Sequence, residues 1–147
     1  MNTRGSEQSG RNTIAPDAVL YPKKLILKNG TKHILLDTKE IVYCYSSHRI
    51  VYVVDAAGQK YLYDKNLLHI ESELDPHLFF QASRTHIINF NFIRSFVTHE
   101  KNKMKVELKT PQMEETVIIS QTRVNAFKQW IYQQLYSATG NGTMSRN

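Results

Sequence analysis

The chain has 147 residues, of which 41% are apolar, and Lys plus Arg outnumber Asp plus Glu by 19 to 13. That length suits one domain with a real core, and the net charge of +6 favours a polyanionic partner, nucleic acid before an anionic membrane surface. No run approaches the roughly 18 apolar residues of a membrane span, the N-terminus lacks a signal-peptide core, and the single cysteine, Cys44, excludes an intramolecular disulfide, so the expected setting is soluble, reducing and cytoplasmic.

Residues 1–20 are polar and carry Gly5, Gly10 and Pro16. They read as a flexible tail or a linker to another domain. Residues 137–147 read as a second such tail, which leaves 21–136 as the folded part.

Within it, Asn29-Gly30 between two apolar runs predicts a hairpin, because both turn positions need positive φ. Runs at 41–45 and 50–54 predict two strands split by Ser46, Ser47, His48 and Arg49. Cys44 lies inside the first run and reads as a small buried hydrophobe rather than a nucleophile. A turn at Ala57-Gly58 leads to a strand over Lys60–Tyr63. Asp64 is placed to cap a helix whose Leu67, Leu68, Glu71 and Leu74 follow helical spacing, with Pro76 just beyond.

The stretch 79–96 follows. Its ends, Phe79, Phe80, Ile87, Ile88 and Ile93, are apolar, and its centre holds a polar knot of Gln81, Ser83, Arg84, Thr85 and His86. A hairpin is expected around Glu100–Lys103. Its second arm alternates Met104, Val106 and Leu108 with Lys105, Glu107 and Lys109, the period-two signature of a half-buried strand. A last strand, residues 114–120, precedes a helix with Val124, Phe127, Ile131 and Leu135 on one face, capped by Thr122 or Ser120. Seven or more short strands with short connections and two helices make a mainly β, antiparallel fold.

Patterns of catalysis are missing. The sequence has no glycine-rich phosphate loop, no G-x-S-x-G elbow and no cysteine pair for zinc. The six histidines (33, 48, 69, 77, 86 and 99) show no metal-ligand spacing, and Asp37, Asp55 and Asp75 sit where turns and caps need them. A non-enzyme without metal or cofactor is expected.

Three polar interruptions remain, at 46–49, 81–86 and 120–123. Each combines an arginine with hydroxyl or amide side chains. Arginine can donate two parallel hydrogen bonds to guanine, Gln can pair with adenine, and Ser and Thr suit phosphates. Taken singly each is also an ordinary solvated turn. Lys101, Lys103, Lys105 and Lys109 could add phosphate contacts or merely solvate a strand face. Tyr43, Tyr45, Tyr61 and Tyr63 could stack RNA bases, although their spacing fits one buried face better. An RNA-binding or protein-interaction β module is therefore the alternative to a duplex-DNA reader.

The order and spacing of these features resemble the LytTR family, the DNA-binding output domain of bacterial response regulators. The family's motif runs Phe-x-Arg-x-His-Arg-Ser-Tyr-Ile-Val-Asn-x-x-x-Ile. Here it reads Phe79-Phe80-Gln81-Ala82-Ser83-Arg84-Thr85-His86-Ile87-Ile88-Asn89, then Phe92-Ile93. The 119–123 stretch leading into the last helix and the turn containing His48 agree with the family as well, over about residues 23–135.

The resemblance implies an elongated antiparallel β-sheet sandwich of about ten short strands with one short internal helix and a C-terminal helix. It implies a sequence-specific transcriptional regulator that reads the major groove of double-stranded DNA with loops. The contact candidates carried over are His48 and Arg49, then Gln81, Ser83 and Arg84, then Gln121, Thr122 and Arg123. The implied partners are promoter repeats, a second copy on an adjacent half-site, and an upstream receiver domain or sensor kinase. Gln81 stands where the family usually has Arg or Lys, Ser83 where it often has His, and Gln121-Thr122 replaces an Arg pair. A different target sequence is expected on that account.

Overall fold

The computed structural model describes residues 20–136; apart from Leu20, the expected tails 1–20 and 137–147 lie outside them. In chain order the elements are β1 (Lys24–Asn29), β2 (Lys32–Asp37), β3 (Ile41–Ser47), β4 (Ile50–Asp55), β5 (Lys60–Tyr63), α1 (Leu67–Glu73), β6 (Phe79–Ser83), β7 (His86–Asn89), β8 (Ile93–His99), β9 (Lys103–Lys109), β10 (Glu114–Ile119) and α2 (Val124–Tyr136). Seven strands form one sheet in the order β2-β1-β5-β4-β3-β7-β6, and three form a second in the order β10-β9-β8. Every pairing is antiparallel, as short connections require.

The large sheet is buried on both faces at its centre. On one face Cys44, Val51, Val53 and Ile87 pack with Leu67, Ile70 and Leu74 of the α1 segment. On the other, Tyr43, Val54, Phe80 and Ile88 meet Met104, Val106, Leu108, Val117 and Ile119 of the small sheet together with Phe127 and Trp130 of α2. Two-sided burial explains why residues 41–44 are all apolar and all buried. The Met104, Val106 and Leu108 alternation faces the core as its period predicts.

Several local expectations shift. Asn29 pairs with Lys32, so the first turn is Gly30-Thr31. Of these only Gly30 is left-handed, at φ 65°, and a Cβ there would meet nothing within 4 Å, so its glycine serves conformation alone. Asn66, not Asp64, caps α1. Its side chain accepts from the His69 N–H at 2.8 Å, because the helix starts at Leu67, two residues beyond the start an Asp64 cap would set. Leu68 points to solvent and Ile70 takes its place in the core. On α2 the buried pair is Phe127 and Trp130, while Leu135 is exposed. Trp130 donates to the Pro76 carbonyl at 2.8 Å, a tie periodicity alone does not show. Ser120 adopts the extended conformation of a cap without a side-chain capping bond, and Thr122 lies in a 3-10 turn over Gln121–Arg123.

Buried polar groups act as bolts. Thr110 Oγ1 donates to the Ala56 carbonyl at 2.7 Å, tying the end of the small sheet to the large one. Asn89 is fully buried. It donates to the Ile41 carbonyl at 2.7 Å and accepts from the Asn91 N–H at 2.8 Å. Removing it leaves the buried Ile41 carbonyl unsatisfied and strips the Asn91 N–H of its partner, so Asn89→Ala loses about 1–3 kcal/mol. Urea unfolding checks this: the midpoint falls while the denaturant slope stays unchanged, and an unaltered midpoint contradicts the role.

Candidate nucleic-acid interface

The three arginine-bearing interruptions are smaller than the sequence suggests. Ser47 pairs with Ile50, so Ser46 and Ser47 belong to β3 and the first turn is only His48-Arg49. Ser83 pairs with His86, so Gln81 and Ser83 belong to β6 and the second turn is Arg84-Thr85. Gln121–Arg123 is the 3-10 turn that starts α2.

His48 and Arg49 have φ of 52° and 67°. Positive φ at both positions is what a two-residue hairpin turn of the twisted I′ kind demands, a job usually given to Asn-Gly. Each non-glycine residue held there carries strain, in a place where an exposed imidazole and guanidinium are presented. His48 Nδ1 lies 3.1 Å from Ser47 Oγ. At the second tip, Thr85 N–H donates to Ser83 Oγ at 3.3 Å, and Thr85 Oγ1 lies 2.9 Å from His86 Nδ1. Arg84 is exposed and, among the described residues, its side chain has no hydrogen-bond or ion-pair partner.

The backbone brings the three turns together. Because β3 pairs antiparallel with β7, the two tips emerge at the same end, and Ser46 N–H donates to the Thr85 carbonyl at 2.9 Å. The third turn is tied to β6. A bulge between Gln81 and Ser83 leaves the Ala82 carbonyl free for the Ser120 N–H at 3.1 Å. Arg123 Nε donates to the Gln81 carbonyl at 3.0 Å, and its guanidinium lies 4.6 Å from the centre of the Phe80 ring. His48, Arg49, Arg84, Gln121 and Thr122 are exposed, whereas Gln81, Ser83 and Arg123 are half-buried. Arg123 is therefore a strut between two turns more than a free cation.

A fourth turn, which sequence patterns did not single out as a neighbour of these, joins the same end. Lys101 and Asn102, between β8 and β9, are both left-handed. Asn102 and Lys103 line a shallow groove with Gln121, Asn125 and Lys128. The antiparallel pairing of β9 with β10, which sets Met104 opposite Ile119, creates this proximity. Lys109, by contrast, is paired with Glu114 at 2.7 Å and is a poor anion ligand.

The tyrosines divide between two faces instead of sharing one. Tyr43 and Tyr45 face the small sheet; Tyr61 and Tyr63 face α1. Tyr63 donates to Glu73 at 2.7 Å and Tyr61 to Asp55 at 2.9 Å. Tyr45 is stacked between Tyr52 and His86, with centroids 5.0 and 5.8 Å away, and Lys60 lies over it. These rings are engaged with one another. Cys44 is fully buried and burial pushes its thiol well above the ordinary range, so it is neither nucleophile nor metal ligand. Among the described residues no group of three His, Cys, Asp or Glu side chains could hold a metal, and no helix is long and apolar enough to cross a membrane.

A family model described as the LytTr DNA-binding domain matches residues 31–132. The fold is similar to that of a solved LytTr DNA-binding domain from Bacillus cereus, assigned to a methyl-accepting/DNA response regulator. The TM-score is 0.68 at 18% identity, over 75% of this chain and 97% of that one. Among curated proteins none matches.

Two measurements probe the stiffness of this end. A left-handed L-residue costs about 1–2 kcal/mol and a glycine gives back roughly 0.5–1 through its freer unfolded state. Arg49→Gly therefore stabilises the fold by up to about 1 kcal/mol, whereas a loss would show that the turn is unstrained. Burial lowers the His86 pKa below 6.5, partly opposed by Glu115. The native state prefers neutral His86, so its contribution is fully present above 6.5 and is lost as pH falls from there through the folded value. His86→Phe flattens that acid limb of a stability–pH curve; an unchanged limb contradicts the assignment.

Proposed function

The chain belongs to the LytTr DNA-binding domain family, and from that premise we propose that it is a sequence-specific, double-stranded DNA-binding transcriptional regulator that reads the major groove with turns rather than with a helix. The observation that carries this reading is the convergence of three arginine-bearing turns on one end of the molecule, fixed by the Ser46–Thr85, Ser120–Ala82 and Arg123–Gln81 hydrogen bonds. A base reader must be exposed and unengaged by its own protein yet rigidly based. Arg84 meets both conditions and is the principal reader, suited to guanine O6 and N7.

His48 and Arg49 read from the neighbouring tip. Gln121 and Thr122 supply an amide and a hydroxyl from the third turn. Gln81 and Ser83 shape the base of the second tip and tune which sequence is preferred, and Arg123 holds the second and third turns in register. Lys101, Lys103 and Lys128 contribute the phosphate term that sets register and salt dependence.

The reading extends to a cytoplasmic, non-enzymatic regulator of promoter repeats. A second copy sits on the adjacent half-site, and an upstream receiver domain or a sensor kinase is the further partner. RNA recognition is the weaker alternative because the tyrosines that would stack bases are packed against each other or bonded to carboxylates.

Arg84→Ala lowers affinity for the preferred duplex by about 1–3 kcal/mol with little change in random-duplex binding. Lys103→Ala weakens both alike and reduces the log–log salt slope by about one. Fluorescence anisotropy across a salt series measures both. Equal affinity for random duplex, or preference for single-stranded RNA, overturns the reading.

A further inference from the structure

The side of the molecule formed by β8 and α2 has a character the recognition turns do not use. β8 is the free edge of the small sheet, with its middle residues exposed. Phe96 and Val97 are 42% and 58% exposed, and Tyr132, Leu135 and Tyr136 on the adjoining helix are 64%, 62% and 79% exposed. Phe90, Ile93, Phe96, Ile131 and Leu135 line a continuous apolar groove between strand and helix.

Charge is scarce on this side. Arg94 and Lys128 are the sole Asp, Glu, Lys or Arg in the twenty residues of β8 and α2, against 22% charged in the whole chain. Natural sheets guard free edges with charges, prolines or covers. Here β2 carries Lys32 and Asp37, β10 carries Glu114 and Glu115, and β6 is covered by Ser120 and Arg123. The centre of β8 has no such guard, and charge depletion around aromatic side chains marks the core of an interface.

We infer that β8 pairs antiparallel with β8 of a second copy, joining the two small sheets into one six-stranded sheet with the two α2 helices packed on the same face. The strand is complementary to itself. A two-fold axis at Val97 sets the two copies of Val97 opposite each other, Phe96 opposite Thr98 and Ser95 opposite His99. Arg94 then stands opposite the partner's Glu100, whose carboxylate offers the opposite charge, and no like charges face. The same axis stands perpendicular to the sheet, so each α2 meets the other across it and covers Tyr132, Leu135 and Tyr136. β8 runs toward the turn-bearing end, so the antiparallel pair directs its two recognition ends away from each other. This contact is thus distinct from two copies sitting side by side on adjacent half-sites, and it does not depend on DNA being the ligand.

Sedimentation velocity from micromolar to millimolar protein, without DNA, tests it alongside amide hydrogen exchange. The whole chain shifts from monomer to dimer with concentration, and β8 amides become protected in step. Val97→Lys and Leu135→Glu, both at exposed positions, keep the same circular dichroism and melting temperature but stay monomeric. A chain that remains monomeric throughout, a dimer indifferent to both substitutions, or a dimer that leaves β8 amides unprotected overturns the inference. Pelleting with an unrelated protein while the pure chain stays monomeric also overturns it in favour of a foreign strand.

Discussion

The candidate interface depends on one constraint: β3 is paired on both sides, with β4 along one edge and β7 along the other. A strand shared by two hairpins must send both hairpin tips to the same end. The Ser46–Thr85 hydrogen bond at 2.9 Å is the last rung of that shared ladder. Without that shared ladder the His48-Arg49 and Arg84-Thr85 turns would be placed independently, and each would pay its own ordering cost on binding. With it they form one relief whose side chains are placed by sheet geometry.

The cost of that placement is met by the core beneath. β3, β4 and β7 are buried on both faces, so register cannot slip without turning a core residue to the wrong face. Asn89 then fixes where β7 ends by bonding the backbone of β3. The bulge around Ala82 interrupts the edge of the large sheet where the third turn needs a carbonyl. Arg123 illustrates how a residue of the right type can be recruited for structure: stacking on Phe80 and bonding Gln81 use its planar guanidinium to align two turns.

Much of this was legible in the sequence. The β9 alternation, the Lys60–Tyr63 strand, the hairpin near residue 100 and the mainly β class follow from period-two patterning and turn residues. The chemistry of the three interruptions follows from residue type. Their convergence does not, because it arises from β3–β7 pairing and from the β6 bulge, which join residues some forty positions apart. Turn lengths were overestimated for a related reason. Ser46, Ser47, Gln81 and Ser83 are polar yet lie in strands, since the ends of these strands extend beyond the core and need no apolar side chain. The cap of α1 went to Asn66 through a local bond to His69 N–H, whereas the burial of Trp130 on α2 goes with its long-range tie to Pro76. The tyrosines split between faces because β3 and β5 present their odd-numbered residues to opposite sides of one sheet.

The central claim is that the turns act together as one recognition surface. Nuclear magnetic resonance titration of the isotopically labelled chain with a duplex it has selected from a random pool addresses this most directly. The account predicts that backbone and side-chain signals of His48, Arg49, Arg84, Thr85, Gln121 and Thr122 shift in a single concerted transition, while those of β1, β2 and α1 stay in place. Shifts confined to one turn, or centred on the tyrosine-bearing sheet face, would contradict it.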